Sequence, residues 1–386
     1  MKYCEISKDE YVINYDGDYY VVNDFTRSLL SYLQCEDKMS EDKFSQYRIS
    51  KLNKYIKIIN DKINNPEYYE KNIELKAPLK IQWKITNRCN LKCEHCYTAA
   101  NEIGSKELEY SSLEKIALDI VGSGIMDVTI SGGEALLVDK LEKIVTLLIK
   151  NQINVTIFTN GILIKYFIEK LPTNYNEHLS FSISIDGNEE VHDKIRGMGS
   201  FRQTIEGIKY ALKQGYKIAT NTVVMKKNVH CICNLIKQLN EIGVNQVQLS
   251  NLIVKGRARN EMKISSSEKD ELRDNLKQIL NDIEKTEILY AELPDEDVRS
   301  KVYRITESGN EFLGYEEWKC SAGIGKATID NKGDLLCCPF IEKSNLGNLL
   351  DESIINLWKK NERLEFLKVL QKQNNNSRKC IVIREK

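Results

Sequence analysis

From residue 81 onward the chain alternates short apolar runs with amphipathic stretches of helical spacing, six times in succession. The apolar runs fall at 81–85, 127–130, 154–158, 179–185, 217–224 and 246–252. Between them, stretches such as 112–121, 139–150, 203–214 and 229–242 carry apolar residues three and four apart, the period of a helix with one buried face. Strands that take turns with helices must be joined by crossovers, which makes the sheet parallel and puts the helices outside it. The expected fold is therefore α/β, a full or partial barrel of six units with its chemistry at the C-terminal strand ends. Polar, glycine-bearing runs stand at those ends: a cysteine-rich loop after the first strand, Ser131-Gly132-Gly133-Glu134 after the second, Thr159-Asn160-Gly161 after the third and Asp186-Gly187 after the fourth.

The cysteine-rich loop carries the sharpest chemistry. Cys89, Cys93 and Cys96 sit four and three residues apart, so three thiolates share one loop. Three thiolates hold three corners of a cubic iron–sulfur cluster and leave the fourth iron open to another ligand. The bulk composition is that of an ordinary soluble globular protein: 386 residues, 41% apolar and 29% charged, suit two or three domains with a sizeable core. Fifty-six basic and fifty-six acidic residues cancel, which removes any global field for nucleic acid or anionic membrane. The N-terminus lacks an apolar signal core, and no run approaches the eighteen or so apolar residues that span a bilayer. A cytoplasmic location is expected, where eleven cysteines read as metal ligands and free thiols.

These motifs resemble the radical S-adenosylmethionine (SAM) superfamily over roughly residues 81–252. The resemblance implies that Cys89, Cys93 and Cys96 bind a [4Fe–4S] cluster whose fourth iron is chelated by the amine and carboxylate of SAM. Reductive cleavage of SAM then yields a radical that takes a hydrogen from substrate, and an electron donor of flavodoxin or ferredoxin type supplies the electron. By the same resemblance Gly132, Gly133 and Glu134 position the SAM ammonium, with Ala135 where the family usually has proline. Ser184, Asp186 and Arg196 match positions that contact the ribose and carboxylate of SAM. Tyr97, beside the last ligand, matches the family's usual aromatic position, with plain packing as the alternative. His95, between two ligands, is read as facing solvent, with tuning of the cluster as the alternative, and Cys4, Cys35, Cys231 and Cys233 as small buried hydrophobes.

Gly256-Arg257-Ala258 resembles a short motif of one branch of that superfamily, which carries an auxiliary-cluster domain called SPASM or its half-size relative, Twitch. Cys320, a hairpin glycine at Gly333, Cys338, and Leu346-Gly347-Asn348-Leu349 before a helix at 354–358 fit its opening. The pattern then departs: Cys380 is followed by Ile383 where a closing cysteine belongs. Cys320, Cys338 and Cys380 are thus candidate ligands of a second cluster, completed by Cys337 or an outside ligand, or else buried thiols. The first seventy or so residues pair strand-like runs 11–15 and 19–22 across Asp16-Gly17-Asp18, with an Asn23-Asp24 cap before a helix. This module resembles the winged-helix domain that binds leader peptides in ribosomal peptide maturation; an N-terminal packing extension is the alternative.

The expected organisation is a winged-helix-like recognition module at 1–75, a partial (β/α)6 radical SAM barrel at 76–258, a helical linker at 259–319 and a Twitch or incomplete SPASM domain at 320–386. The implied function is radical modification of a ribosomally made precursor peptide with a leader, giving a thioether, a crosslink or an epimer. A sulfatase-maturing enzyme is the nearest rival, but such enzymes place an acidic residue directly after the cysteine that is Cys338, where this chain has Pro339. Two further rivals are a peptide-binding partner without catalysis, against which the intact Cys89, Cys93, Cys96 and Glu134 argue, and a small-molecule radical SAM enzyme.

Overall fold

The computed structural model describes residues 3–7, 10–15, 18–23, 75–101, 107–172, 175–279, 282–283, 286–291, 302–305 and 322–373. Near the N-terminus, β1 (Tyr3–Ser7), β2 (Glu10–Tyr15) and β3 (Asp18–Asn23) form an antiparallel sheet in that order. The expected hairpin is β2 with β3, paired from Glu10 with Asn23 to Tyr15 with Asp18. Its turn and the following helix lie outside the described residues.

The predicted parallel run is present as β4 (Lys80–Thr86), β5 (Asp127–Gly132), β6 (Asn154–Thr159), β7 (Leu179–Ser184), β8 (Lys217–Val224) and β9 (Gln246–Asn251). Each neighbour pairs in parallel. The outer face is covered by α1 (Tyr110–Gly122), α2 (Leu141–Lys150), α3 (Ile164–Glu169), α4 (Glu189–Arg196), α5 (Ser200–Lys213) and α6 (Ile232–Ile242). The division of faces follows from the strand period of two. Ile81, Trp83 and Ile85 of β4 are buried in the core, while Gln82 and Lys84 between them look the other way. On the helices, Leu113, Ile116, Ala117 and Ile120 of α1 and Ile232, Leu235, Ile236 and Leu239 of α6 recur at the helical period and bury against that face.

The sheet runs further than six strands. The segment expected to be a helical linker holds, among the described residues, a 3-10 turn at Asn260–Met262 and the α-helix α7 (Ser266–Ile279); β10 (Glu287–Ala291) joins β9 in parallel, and β11 (Val302–Ile305) pairs antiparallel with β10. On the opposite edge β12 (Lys326–Ile329) lies parallel to β4 and leads into β13 (Asp334–Leu336) and β14 (Asn345–Asn348). Gly333, at a φ of +89°, makes the β12–β13 hairpin turn that its glycine suggested. The C-terminal helices α8 (Ile354–Trp358) and α9 (Asn361–Gln373) share the core: Trp358 is fully buried, and the Asp119 carboxylate of α1 accepts from the Ile354 N–H at 2.7 Å.

Candidate metal and cofactor centre

The loop after β4 is held at every stage by the ends of other strands. At its start, the Gly133 N–H donates to the Thr86 carbonyl at 2.9 Å and the Glu134 N–H to the Arg88 carbonyl at 2.8 Å. A Cβ on Gly132 would stand 2.5 Å from the Thr86 oxygen, and one on Gly133 2.3 Å from the Arg88 oxygen. The two glycines are therefore required by the close approach of the chain's own backbone. Asn101 closes the loop, accepting from the Cys89 N–H at 2.9 Å and donating to the Cys89 carbonyl at 2.7 Å. From the end of β6, the Asn160 amide donates to Asn90 Oδ1 at 2.8 Å.

Beyond β9, Gly256-Arg257-Ala258 grips the far side. The Arg257 guanidinium donates to the carbonyls of Cys93 at 2.8 Å and Ala100 at 3.0 Å, and its backbone N–H to that of Cys96 at 3.0 Å. Gly256, at a φ of +62°, would set a Cβ 2.4 Å from the Cys96 oxygen. The motif that in sequence only marks a superfamily branch is a clamp on two of the three cysteines.

Cys93 is buried, Cys89 and Cys96 are half-buried, and all three are free thiols. Burial pushes Cys89 up to about 11. Burial likewise raises Cys93, with Arg196 pulling it back from beside the sulfur, Nη1 to Sγ at 3.8 Å. The Leu91 N–H points at Cys89 Sγ at 3.4 Å, and Thr98 Oγ1 lies 3.2 Å from Cys96 Sγ. Among the described residues no three His, Cys, Asp or Glu side chains converge on one point as they would around a single ion. A cubic cluster asks for something different, thiols spread to separate corners, and three free thiols on a braced loop with an N–H and a guanidinium aimed at sulfur fit that group.

Glu134 is 1% exposed and already engaged. Its Oε1 accepts from the Leu136 N–H at 3.0 Å and Thr159 Oγ1 at 2.7 Å, and its Oε2 from the Asn160 N–H at 2.8 Å. A carboxylate has about four acceptor directions, so one on Oε2 is left for a ligand. Glu134 thus ties the end of β5 to that of β6, a role its sequence context did not reveal. Burial raises its pKa against those three donors.

Asp186 is wholly buried: its Oδ2 takes Arg196 Nε at 2.6 Å with His95 Nε2 at 3.4 Å, and its Oδ1 the Val223 N–H at 3.0 Å. Burial would raise this carboxyl, but Arg196, then His95, more than offset it and hold it below the usual range. His95 is 7% exposed, so the expectation that it faces solvent is wrong; it stands behind Cys93 with Asp186 and Arg196. His192, on the other side, accepts the Asp186 N–H on Nδ1 at 3.2 Å and is pushed down to about 4, chiefly by burial. The Ser184 side chain, half-buried at the end of β7, has no protein partner among the described residues.

Tyr97 lies with its ring 5.8 Å from that of Phe340 and under Lys84 Nζ at 5.1 Å, its hydroxyl pushed up to about 12 by burial. The ring contact joins the cysteine loop to the segment bearing Cys338. Cys337 and Cys338 are buried, Cys337 pushed up to about 12 by burial, and Ser344 brackets Cys338, accepting from its N–H at 3.2 Å and donating to its carbonyl at 2.9 Å. Cys320 and Cys380 lie outside the described residues, as do Cys35 and the side chain of Cys4. Cys231 is buried, in keeping with its reading as a small hydrophobe, and Cys233 is half-buried against the core.

Residues 83–239 match the family model of the radical SAM superfamily, and residues 320–381 that of SPASM, an iron–sulfur cluster-binding domain. Among curated proteins the chain is similar to the antilisterial bacteriocin subtilosin biosynthesis protein AlbA of Bacillus subtilis, at 30% identity over 44% of this chain and 38% of that relative. It is similar to the mycofactocin maturase MftC of Mycolicibacterium smegmatis at 25% identity over 78% of this chain and 75% of MftC. The alignment spans well under half of AlbA's length. Among solved structures, Streptococcus suis SuiB bound to S-adenosylmethionine superposes with a TM-score of 0.70 at 17% identity, over 100% of this chain and 96% of SuiB; SuiB bound to precursor peptide SuiA gives 0.68. The fold is shared at that distance, and the two domains imply a [4Fe–4S] cluster, SAM and auxiliary cluster binding.

Proposed function

Because the chain carries a radical SAM domain and a SPASM domain, we propose that it is an enzyme that cleaves SAM reductively and modifies a ribosomally made precursor peptide. The observation that carries this reading is the loop of three free thiols pinned by the ends of β5, β6 and β9. When bound, cluster and SAM supply reductive cleavage of the sulfonium and a carbon radical able to take hydrogen from an unactivated C–H bond. The protein's part is placement. Cys89, Cys93 and Cys96 hold the cluster; Glu134 offers its remaining acceptor direction to the SAM ammonium; Arg196 and Ser184 meet the carboxylate and ribose. Asp186 is a positioning residue, fixing the Arg196 fork by its 2.6 Å bond. Tyr97 packs over the loop between the two cysteine-bearing segments. Cys338, with Cys320 and Cys380, binds the auxiliary cluster.

The substrate assignment rests on likeness to AlbA and MftC, and on the antiparallel sheet near the N-terminus, where β3 pairs only with β2 among the described strands. An unpaired strand edge can take a leader peptide as an added strand. A flavodoxin- or ferredoxin-type donor supplies the electron, and the reducing cytoplasm is the compartment that suits the free thiols. Among the described residues no helix is long and apolar enough to cross a membrane.

The test is anaerobic reconstitution with iron, sulfide and SAM, followed by dithionite. The expected result is 5′-deoxyadenosine and methionine from the wild type and none when Cys89, Cys93 and Cys96 are all replaced by alanine. Deleting residues 1–75 should spare peptide-independent SAM cleavage and severely reduce modification of a full-length precursor at limiting peptide. Equal modification by both forms would refute the leader-binding role.

A further inference from the structure

Lys84 is a half-buried cation with no ion-pair partner among the described residues. It sits on β4 between Trp83 and Ile85, which are buried in the core, so it faces the inner side of the sheet, with Nζ 5.1 Å above the Tyr97 ring. No carboxylate among the described residues lies within ion-pair distance of it. Asp330, which follows β12 alongside it, spends Oδ1 on the N–H groups of Lys332 and Asp334. Burial, then the neighbouring charge of Lys255, disfavour the ammonium, with Asp330, Cys338 and Cys96 pulling the other way. A charge removed from water without a partner is costly, which marks a place where an anion is received.

A second group on the same layer is also incomplete. Ser131 pairs in register with Lys84 across β4 and β5, and its Oγ is buried without a hydrogen-bond partner among the described residues, in a residue 8% exposed. Residues of this parity face inward together, as the 3.0 Å contact between Thr156 and Ser180 on the next strands shows. Adjacent strands are about 4.8 Å apart, so one carboxylate can take a bond from the ammonium and another from the hydroxyl. The Arg196 guanidinium is engaged by Asp186 Oδ2 at 2.6 Å and stands beside Cys93 Sγ at 3.8 Å.

We propose that Lys84 and Ser131 form a carboxylate subsite on the inner face of the sheet, which seats an aspartate or glutamate side chain of the peptide beside the cysteine loop. This rests on the reading of the substrate as a peptide. Negative charge could also come from the carboxylate of SAM or from the cluster itself, and the test separates these sources.

The probes are two blocked pentapeptides, acetyl-Ala-Ala-Glu-Ala-Ala-amide and its Gln counterpart, titrated anaerobically by NMR into the reconstituted enzyme with SAM present. The wild type should bind the Glu peptide about tenfold or more tightly than the Gln peptide, one decade being the scale of a single charge-assisted bond. Lys84→Met should bring the two to parity, Lys84→Arg should keep part of the preference, and Ser131→Ala should fall between. Equal binding of both peptides by the wild type, or an undiminished preference in Lys84→Met, overturns the proposal. So does a Lys84→Met variant whose altered property is SAM affinity or cluster midpoint potential while the Glu preference stays. Failure of the functional reading looks different: no 5′-deoxyadenosine from the wild type, whatever the peptides do.

Discussion

Arg257→Ala should loosen the cysteine loop without unfolding the sheet. The guanidinium donates to the carbonyls of Cys93 and Ala100, at 2.8 and 3.0 Å, and so ties the middle of the loop to its end. Each such charge-assisted bond is worth about 1.5–3 kcal/mol when buried. Arg257 is half-buried, so a discount for solvent brings the pair to about 2–4 kcal/mol. That corresponds to a shift of about 30- to 900-fold in the balance between closed and open loop. The assay is the rate at which a chelator strips iron from anaerobically reconstituted protein, beside hydrogen exchange over residues 89–101. The variant should lose iron far faster and exchange this loop faster, with protection in β5 to β8 unchanged. Arg257→Lys, which restores the charge but not the fork, should recover only part. Iron release and loop exchange equal to wild type would refute the clamp.

Gly133→Ala places a methyl 2.3 Å from the Arg88 carbonyl, so the loop must move by about 1 Å, and iron content after reconstitution should drop although circular dichroism stays native. Glu134→Gln turns one acceptor into a donor facing N–H or O–H groups, costing about 1–3 kcal/mol, measurable as a lower urea midpoint of the apoprotein. His192 is held at about 4, below the ordinary value near 6.5, because burial disfavours its protonation. The unfolded chain therefore binds the extra proton, and apoprotein stability should fall as pH drops from about 6.5 toward 4, by up to about 3 kcal/mol. His192→Gln should flatten that slope in denaturant titrations; an unchanged slope would place the effect elsewhere.

How much of the fold and the site is legible in the sequence varies by element, for physical reasons. The six parallel strands stand out because each alternates or runs apolar between helices of clear period, as the bounds of β8, 217–224, illustrate. β10 does not, since Glu287–Ala291 is a five-residue run in a polar stretch and becomes a strand only by pairing with β9. The motifs at the strand ends point to the right place, yet not to their local work. In sequence Gly132 and Gly133 resemble a motif that positions the SAM ammonium, and the structure adds that a Cβ on either would meet the Thr86 or Arg88 backbone. The engagement of Glu134 with Thr159 and Asn160, and of His95 with Asp186, joins residues 25, 26 and 91 positions apart, contacts that no local pattern encodes. The clamp by Arg257 carries a signal, a glycine–arginine pair just past the sixth strand, whose meaning depends on which loop lies opposite.

The central claim is that Cys89, Cys93 and Cys96 hold a cluster with one iron open to SAM. Electron paramagnetic resonance of the reduced, reconstituted protein, recorded with and without SAM, tests it directly. The account predicts a wild-type cluster signal that changes on adding SAM, and no SAM-responsive signal when the three cysteines are alanine, with only iron bound by the 320–381 segment remaining. A SAM-responsive signal that survives in the triple variant would contradict it.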